Sequence, residues 1–397
     1  MTLTIDGKPP EGLISEESIE AARAMIGKYL RPDGPFLQQM NQDTMRNFCN
    51  GIGDRNPLFR DIEYGRYSRY GSLVAHPIIP ISYGYIGRGR VGFPGVHAFF
   101  AGNDWEFFRT WRPGDQVLCV ERIVDIVEKS SRLSGKLILQ YTEGTFFNQR
   151  DELVARCLGW CSRHERRASR ESGKNEPKEP YQYEADEMAR IDEQVMDEPN
   201  HIRGGEVRYF QDVVVGEELT PIVRGPLSLM DIGGFSVGVG RGLTHGLILE
   251  NANRHPGHYF RSKEAGGAIE YTGVGHRRDS SAHQMGVSSG YDVGPARIGW
   301  MATLVTNWIG DHGYLKRLRG EVRDFNLIGD TTWCKGKVAK KYEEDGVPLV
   351  DLEIWGENQY GKITTPGLAT VMLPSRDLSH SLVVDGSKLE LGRTRKN

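Results

Sequence analysis

The feature that most constrains the fold of this chain is an internal repeat. Two short phrases occur in the same order in each half of the sequence: Gly114-Asp115 followed by Asn148-Gln149, and Gly329-Asp330 followed by Asn358-Gln359. The offset from the aspartate to the asparagine is 33 residues in the first half (148 − 115) and 28 in the second (358 − 330). The repeating unit is about half of the chain, which is too long for the repeat of a solenoid and suits a duplicated domain.

Each half also follows the same order of segments. The first half contains a helical segment, an apolar helix-like run and three strand-like segments, at residues 43–51, 78–86, 116–127, 133–147 and 152–161. The second half repeats this order at residues 227–236, 298–309, 332–342, 349–357 and 362–373. Polar and apolar residues alternate along the strand-like segments, which is typical of antiparallel strands with one buried face. The pattern predicts an α+β fold in which each half is one central helix wrapped by an antiparallel sheet.

A charged segment separates the two halves. Residues 163–203 are rich in charged and polar side chains and poor in β-branched ones. This composition predicts a linker, with a short helix at about residues 183–195. We therefore divide the chain into a first domain at residues 1–162, a linker at 163–204, a second domain at 205–380 and a tail at 381–397.

Composition and charge narrow the classes of function. The chain has 397 residues, 38% apolar and 26% charged, and a formal net charge of −3, which gives no reason to expect a nucleic-acid or membrane partner. The polar N-terminus lacks the basic and apolar regions of a secretory signal, so we expect a cytoplasmic protein. The five cysteines are odd in number and scattered, which argues against a disulfide framework. No spacing of cysteine or histidine predicts a metal site.

One stretch of the first half resembles a known family. It reads Gly53-Asp54-Arg55-Asn56-Pro57-Leu58-Phe59-Arg60-Asp61 and is followed by Gly71-Ser-Leu-Val-Ala-His-Pro. This resembles the signature of MaoC-type (R)-specific enoyl-CoA hydratases, which runs Gly-Asp-x-Asn-Pro-Leu/Ile-His-x-Asp and continues to an Ala-His-Gly-like turn. The resemblance implies two fused hotdog domains that form a pseudo-dimer within one chain. The departure from the family is Phe59, which stands where the catalytic histidine is expected.

Phe59 affects the chemistry that the resemblance implies. In that family an aspartate and a histidine hold a water and move its protons, while a backbone N–H at the start of the central helix polarises the thioester carbonyl. Because Phe59 cannot transfer a proton, we expect the first half to be a non-catalytic partner that shapes the acyl pocket. Asp54 and Asn56 are then expected either to bind substrate or to stabilise the turn.

The second half is expected to supply the acid/base groups. Its segment Tyr291-Asp-Val-Gly-Pro-Ala-Arg-Ile-Gly-Trp resembles a branch of bacterial acyl dehydratases of the MaoC class, and the resemblance puts His276 at the position of the catalytic histidine. Asp279 is shifted by one residue from the aspartate that normally follows. Tyr271 occupies the usual position of the partner aspartate, so its neighbour Glu270 is the best carboxylate candidate.

The start of the predicted central helix completes this site. Gly294-Pro295 predicts a helix N-terminus whose N–H groups could hold the thioester oxygen, with Tyr291 and Asp292 beside it. Arg297 could reach a phosphate of CoA or could equally lie in solvent. Four other histidines are weaker candidates and otherwise loop or surface residues: His245, His255, His258 and His283.

These observations predict a hydro-lyase that adds water reversibly to a 2-enoyl-CoA to give a 3-hydroxyacyl-CoA. No cofactor is implied, because CoA is part of the acyl-CoA substrate, and a further homodimer is expected. Two alternatives are a non-catalytic acyl-CoA-binding or hydratase-complex subunit and an acyl-CoA thioesterase. A set of aromatic residues could line an acyl pocket or could equally be core: Phe99, Phe100, Trp105, Phe107, Phe108 and Trp111.

Overall fold

A computed structural model describes residues 11–30, 37–89, 91–131, 135–171, 179–241, 244–377, 382–383 and 390–391. The α-helices are α1 (Glu16–Arg23), α2 (Gln42–Ile52), α3 (Ile62–Tyr67), α4 (Arg166–Glu171), α5 (Ala185–Asp197), α6 (Leu229–Gly238), α7 (His245–Arg254), α8 (Asp279–His283) and α9 (Gly294–Ile309). The strands are β1 (His97–Phe107), β2 (Leu118–Ser131), β3 (Gly135–Phe147), β4 (Leu153–His164), β5 (Glu218–Arg224), β6 (Tyr259–Ser262), β7 (Ala268–Tyr271), β8 (Tyr314–Glu321), β9 (Thr332–Glu344), β10 (Val347–Asn358), β11 (Ile363–Met372), β12 (Leu382–Val383) and β13 (Glu390–Leu391). No helix in the described ranges has the length and apolar character needed to cross a membrane.

One continuous antiparallel sheet joins the two halves. Its nine strands run in the order β2-β3-β4-β1-β8-β11-β10-β9-β5. Strands β1 to β4 come from the first half, and the junction is the pairing of β1 with β8, where Asn103 lies opposite Gly320. The α+β prediction is confirmed, and the two half-sheets meet edge to edge so that neither exposes an unpaired strand at the junction.

The central helix of the second half, α9, is almost entirely buried. It packs against strands of both halves, and every residue from Pro295 to Ile309 is buried. A helix that is apolar on all sides is stable only inside a core. Its buried polar side chains therefore need partners within the protein, and two of them, Arg297 and Thr303, hydrogen-bond to aspartates.

The prediction of a helix at residues 78–86 of the first half is wrong. The structure forms only a 3₁₀ turn there, Ile79–Ser82. Pro77 and Pro80 each remove a backbone donor and restrict the preceding residue, which stops an α-helix from propagating. Gly84 then fits tightly against the next layer, since a Cβ there would lie 2.4 Å from the sulfur of Cys119. The apolar periodicity reflected burial, and the prolines decided the conformation.

The repeated phrases form the same hydrogen-bonded turn in both halves. Gly114 and Gly329 have φ angles of +98° and +91°, a region in which glycine is favoured. The side-chain amide of Gln149 donates to Asp115, and that of Gln359 donates to Asp330. In each half the preceding asparagine, Asn148 or Asn358, accepts two backbone N–H groups of its own turn. The internal repeat is therefore structural down to individual hydrogen bonds.

The opening helices of the halves, α2 and α6, pack on each other. Both begin with a capping box, Asn41 with Thr44 and Ser228 with Asp231, which satisfies the first N–H groups. Their close approach requires glycine, because a Cβ on Gly238 would lie 2.7 Å from the carbonyl oxygen of Asn47. After α6 the second half adds α7 and the β6–β7 hairpin, and both precede His276 in the chain.

Two candidate sites at equivalent corners of the halves

Each half has a corner where its signature segment meets the start of its central helical segment. The first corner contains Asp54, Phe59, His76 and Pro77, and the second contains His276, Tyr291 and Gly294. Phe59 precedes Pro77 by 18 residues (77 − 59), and His276 precedes Gly294 by 18 (294 − 276). The two corners are therefore equivalent positions of the duplicated plan.

In the second corner His276 is held by a backbone carbonyl. Its Nδ1 lies 3.0 Å from the carbonyl oxygen of Tyr291, and its ring packs on that of Tyr291 with centroids 4.3 Å apart. A carbonyl can only accept, so Nδ1 carries the proton and Nε2 of the neutral ring is an acceptor. The described residues form no other hydrogen bond of ordinary geometry with the ring, although the backbone of Asp292 also lies close enough to act on it. Burial lowers the pKa of His276 below its usual value, which favours the neutral base.

The start of α9 lies three residues beyond Tyr291. The first N–H groups of a helix have no partner within the helix, and no side chain of the described ranges caps α9. The ring of Phe100 from β1 covers this point, since a Cβ on Gly294 would lie 2.7 Å from its Cδ1. Gly294 therefore has an N–H available for hydrogen bonding, at a position where Phe100 leaves no space for a side chain.

Asp292 is committed to Arg297. Both side chains are buried, with Nε–Oδ2 and Nη2–Oδ1 distances of 2.5 and 2.6 Å. The remaining nitrogen of Arg297 donates to the carbonyl of Asp324 and the hydroxyl of Thr365. The structure thus contradicts both expectations for Arg297, because a side chain that is 2% exposed and fully engaged neither reaches a CoA phosphate nor lies in solvent. The pair acts as an internal brace that fixes the start of α9.

The two other predicted carboxylates are also in contact with other groups, although Oε2 of Glu270 is buried without a hydrogen-bond partner among the described residues. Glu270 on β7 lies 2.9 Å from Arg278, and Asp279 accepts the N–H of Gly290 and the hydroxyl of Ser289. No hydrogen bond or ion pair of the described residues joins either carboxylate to the imidazole of His276. The structure therefore does not bring Glu270 or Asp279 to the imidazole. Tyr271, at the usual aspartate position, is 45% exposed.

The first corner holds a buried carboxylate and a buried imidazole in contact. Asp54 Oδ2 lies 3.3 Å from Nε2 of His76 and accepts the hydroxyl of Thr303 at 2.8 Å. Its other oxygen accepts the N–H of Asn56 at 2.7 Å. Asp54 and His76 are both fully buried. Thr303 comes from the middle of α9, so the second half completes this network.

Hydrogen bonds and burial fix the protonation states of the pair. The N–H of Ile78 donates to Nδ1 of His76 at 3.3 Å, so the ring proton lies on Nε2 and faces Asp54. Burial lowers the pKa of His76 to about 3 and raises that of Asp54 to about 6. At neutral pH the imidazole is neutral and the carboxylate is mostly ionised.

The first corner lacks two parts that the second corner has. Phe59 packs edge-on against the ring of His76 with centroids 5.3 Å apart and cannot transfer a proton. Pro77 occupies the position equivalent to Gly294 and has no N–H, while the next N–H, that of Ile78, is taken by His76. This corner is a satisfied polar network with no donor for a thioester oxygen at the equivalent position.

His76 and Thr303 did not emerge from the sequence as site residues. His76 lies in the Ala75-His76-Pro77 phrase, which matches a turn of the family signature, and its distance of 22 residues from Asp54 (76 − 54) gave no helical or strand spacing. Thr303 lies 249 residues from Asp54 and carries no sequence signal. Asn56 is buried and caps the short 3₁₀ turn through the N–H of Leu58, which fits the turn-stabilising alternative.

A pocket opens beside the first corner. Its empty volume is about 580 Å³, including space open to solvent, and its wall includes Asn56, Phe59 and Pro77. The last turn of α9 contributes Thr306 and Ile309. Of the aromatic residues considered from the sequence, Phe107 and Trp111 line this pocket, whereas Trp105 is fully buried core. Phe99 instead packs on Tyr291 in the second corner.

The four histidines that the sequence offered as weaker candidates have other contacts or positions. His283 is held by the carbonyl of Ser288 at 2.7 Å, and His255 packs beside His258 with ring centroids 6.5 Å apart. His245 begins α7. Within the described ranges, no group of three or more His, Cys, Asp or Glu side chains is arranged to hold a metal ion.

Known proteins share this architecture. The FAS1-like dehydratase domain region matches residues 25–157. A UPF0336 protein of Parafrankia sp. (strain EAN1pec) is 40% identical over 52 residues, which span 13% of this chain and 33% of that protein. The chain therefore spans about a third of the length of this curated relative.

Solved structures match over most of the chain. A MaoC-like dehydratase superposes with a TM-score of 0.59 and 16% identity, over 89% of this chain and 99% of the other. A MaoC domain protein from Chloroflexus aurantiacus superposes with a TM-score of 0.53 and 12% identity, over 88% of this chain and 96% of the other. A Mycobacterium tuberculosis protein with a double hotdog fold superposes with a TM-score of 0.51 and 10% identity, over 85% of this chain and 93% of the other. The chain therefore has the double hotdog fold of these MaoC-like proteins, and its residues 25–157 match the FAS1-like dehydratase domain region.

Proposed function

We propose that the protein is a hydro-lyase that adds water to the double bond of a 2-enoyl-CoA, or removes it from a 3-hydroxyacyl-CoA, at the second corner. The observation that carries the proposal is the neutral imidazole of His276, fixed through Nδ1, in the corner where α9 begins without a side-chain cap. A neutral imidazole with one nitrogen fixed and the other accepting is suited to general acid/base work. The fold likeness to MaoC-like dehydratases supports the same reaction class.

One imidazole can balance the proposed reaction. Nε2 of His276 takes a proton from a water whose oxygen attacks Cβ of the enoyl group. The electron pair of the double bond moves towards the thioester oxygen, and the N–H of Gly294 stabilises the enolate that develops. The ring then returns its proton to Cα, so that H and OH add to the double bond. Asp292 and Arg297 hold the helix start in place.

The first corner is a second location for the same chemistry. The observation in its favour is the pKa of Asp54, raised by burial to about 6, which is suited to a group that exchanges protons near neutral pH. Against it stand Pro77 and the full set of partners around Asp54 and His76. Replacing His76 and His276 in separate variants and measuring the activity of each distinguishes the first corner from the second as the place of reaction.

A spectrophotometric assay tests the proposal. We expect His276→Gln to lower the hydration of crotonyl-CoA or a longer trans-2-enoyl-CoA by about 10²- to 10⁴-fold, because a general acid/base group is removed. His283→Gln is the matched control, since His283 also binds a backbone carbonyl but does not lie beside Gly294. Thermal unfolding checks that both variants fold. Unchanged turnover in His276→Gln contradicts the proposal, and loss in His76→Gln alone moves the reaction to the first corner.

The pH dependence gives an independent check. His276 must be neutral to act, and burial lowers its pKa. The value of kcat/KM should therefore stay level as the pH falls through about 6.5, the usual histidine value, and decrease only below it. A decrease centred at or above that pH contradicts His276 as the base.

An acyl-CoA-binding role without turnover is the second candidate function. It is favoured by one observation: Glu270, Asp279 and Asp292 are all engaged by other groups, so none of these carboxylates completes an acid/base pair with His276. Calorimetric binding of enoyl-CoA by a wild-type protein that does not hydrate it would support this role. Release of free thiol from acyl-CoA would instead indicate the thioesterase alternative.

A further inference from the structure

Arg241 occupies, in the second half, the position that Asp54 occupies in the first. The opening helices α2 and α6 end alike, at a glycine of positive φ, +71° for Gly53 and +70° for Gly240. In each half the N–H of the next residue, Asp54 or Arg241, donates to the carbonyl five residues earlier, at 2.9 and 2.8 Å. This bond is the one that closes a Schellman motif at the end of a helix. The second half therefore has a cation where the first has its buried carboxylate.

Contacts between rings place Arg241 at the second corner. Its guanidinium carbon lies 4.8 Å from the ring centroid of Tyr85, a distance at which a cation and an aromatic ring attract each other. The ring of Tyr85 in turn meets that of Phe100 edge-on, with centroids 6.4 Å apart, and Phe100 covers Gly294. The side chain of Arg241 is only partly buried, so part of it is open to a ligand.

The charge of Arg241 acts on the imidazole of His276. Burial lowers the pKa of His276, and the positive charge of Arg241 lowers it further. A nearby cation makes the imidazole a weaker base, so Arg241 does not assist the removal of a proton from water. It also cannot give up a proton itself, because a guanidinium stays charged at neutral pH. The cation at this position therefore needs a role other than proton transfer.

A second cation lies on the other side of the corner. Arg166 is buried, and its Nη2 lies 3.2 Å from Nδ1 of His97. The ring of Phe99 packs on both His97 and Tyr291, with centroids 4.3 and 6.1 Å away, which joins this group to the corner. The carboxylate of Asp292 is already balanced by a guanidinium of its own helix. The surroundings of His276 therefore favour a substrate that brings a negative charge.

The position of Arg241 distinguishes between the two anionic parts that a CoA thioester could bring. The phosphates of CoA are joined to the thioester by the long pantetheine arm, so they lie far from His276 when the double bond lies beside it. An anionic group on the acyl chain is separated from the double bond by only a few atoms. The anion that meets Arg241 therefore belongs to the acyl group.

We propose that Arg241 binds a carboxylate on the acyl group, so that the protein acts on 2-enoyl-CoA thioesters whose acyl chain carries a free carboxylate. The planar guanidinium presents parallel N–H donors that match the two oxygens of a carboxylate, and the ring of Tyr85 supports it from one side. Arg241 then determines specificity, while His276 transfers the protons. This rests on the hydro-lyase activity proposed above and adds the class of acyl group.

Pairs of substrates that differ only in the charged group test this on the full chain. Fumaryl-CoA and glutaconyl-CoA carry a carboxylate where crotonyl-CoA and trans-2-pentenoyl-CoA carry a methyl group. For at least one pair we expect the kcat/KM of the wild type to be about 10- to 100-fold higher for the carboxylate substrate than for its methyl partner, because hydrogen bonds between charged groups are gained.

Variants of Arg241 then assign the preference to this residue. Arg241→Gln should lower kcat/KM for the preferred carboxylate substrate by about 10- to 100-fold and for its methyl partner by less than about threefold. Arg241→Lys keeps the charge without the planar fork and should lie between the wild type and Arg241→Gln. Arg376→Gln is the matched control and should change neither value. Arg376 also lies over a tyrosine ring, 4.2 Å from the centroid of Tyr209, but it pairs with Asp212 and belongs to neither corner.

Two results would overturn the proposal. One is equal kcat/KM for both members of each pair in the wild type. The other is an equal loss for carboxylate and methyl substrates in Arg241→Gln, with folding verified by thermal unfolding. Hydration of the methyl substrates without a preference removes only the role of Arg241 and leaves the hydro-lyase proposal standing, whereas a wild type that hydrates neither kind contradicts both.

Discussion

The first and second corners occupy the same position in their halves, yet they hold different parts of one catalytic set. The first has a carboxylate and an imidazole in contact, Asp54 and His76, but a proline where a backbone donor is needed. The second has His276 and the start of α9 but no carboxylate on the imidazole. Duplication therefore preserved the position of the site and not its chemistry.

The corners also differ in how they accommodate a buried carboxylate. Asp54 is surrounded by neutral donors from Asn56, Thr303 and His76, and burial raises its pKa. Asp292 is paired with the guanidinium of Arg297 in two short contacts. A carboxylate held by neutral groups can gain or lose a proton at moderate cost, whereas removing one partner of a buried carboxylate–guanidinium pair leaves an uncompensated charge.

The largest expected effect comes from removing each carboxylate in turn. Asp292→Asn leaves Arg297 buried without its counter-ion, and we expect a loss of about 3–5 kcal/mol in the free energy of unfolding. Asp54→Asn removes a buried charge that has no cation in contact, and the change should stay within about 1 kcal/mol. Urea unfolding at neutral pH measures both, and equal losses would contradict the distinction.

The stability of Asp54→Asn relative to the wild type should also depend on pH, and the direction follows from the pKa of Asp54. The folded pKa of Asp54 is raised to about 6, so the folded protein binds more protons than the unfolded chain between its usual pKa and that value. The contribution of Asp54 to the free energy of unfolding of the wild type therefore decreases as the pH rises through about 6. Relative to the wild type, Asp54→Asn should gain stability as the pH rises from about 4 to about 6, and the difference should then stay level.

The second expected effect concerns the backbone donor. Gly294→Pro gives the second corner the residue type of Pro77, and we expect kcat to fall by about 10²- to 10³-fold beyond the loss in Gly294→Ala. Alanine is the matched control, because it keeps the N–H but introduces the same Cβ against Phe100. Proline is tolerated in the first turn of a helix, so the fold should survive. Equal activities of the two variants would show that this N–H does not contact the substrate's oxygen.

The sequence was sufficient for the architecture and for part of each corner. The duplication, the α+β class and the turns around Asp115 and Asp330 follow from local patterns, and the structure confirms the fold. The placement of His276 came from the family resemblance, and that of Gly294 from the Gly-Pro pattern of a helix start. The prediction of a helix at residues 78–86 was wrong because apolar periodicity does not show how two prolines change the backbone.

Contacts between distant segments explain what the sequence did not reveal. The Asp54–Thr303 bond joins residues 249 positions apart, and the wall of the pocket beside the first corner joins residues of different halves, Trp111 and Tyr314. Arg297 could be interpreted only after its burial against Asp292 was known. Charge pairing inside a core depends on the packing of α9, which no single segment encodes.

A smaller effect tests how the second half supports the first corner. Thr303→Val removes the hydroxyl that donates to Asp54, and we expect a loss of about 1–3 kcal/mol in unfolding free energy, because a buried carboxylate loses a partner. Thr306→Val is the matched control one turn away, since its hydroxyl donates to a carbonyl of its own helix. Chemical unfolding of both variants measures the difference. Equal effects would mean that Asp54 does not depend on α9.

The last and smallest change that we expect is a partial recovery of hydration activity at the first corner. In the His276→Gln background, Phe59→His places an imidazole at the family position, yet we expect no measurable hydration, because Pro77 still provides no donor. Adding Pro77→Gly supplies an N–H, and the combined variant should rise above the His276→Gln background in the enoyl-CoA assay. Recovery by Phe59→His alone would show that the missing donor is not what separates the corners. No recovery in the combined variant, with folding verified, would indicate that the enclosed Asp54–His76 network itself prevents water from reaching the site.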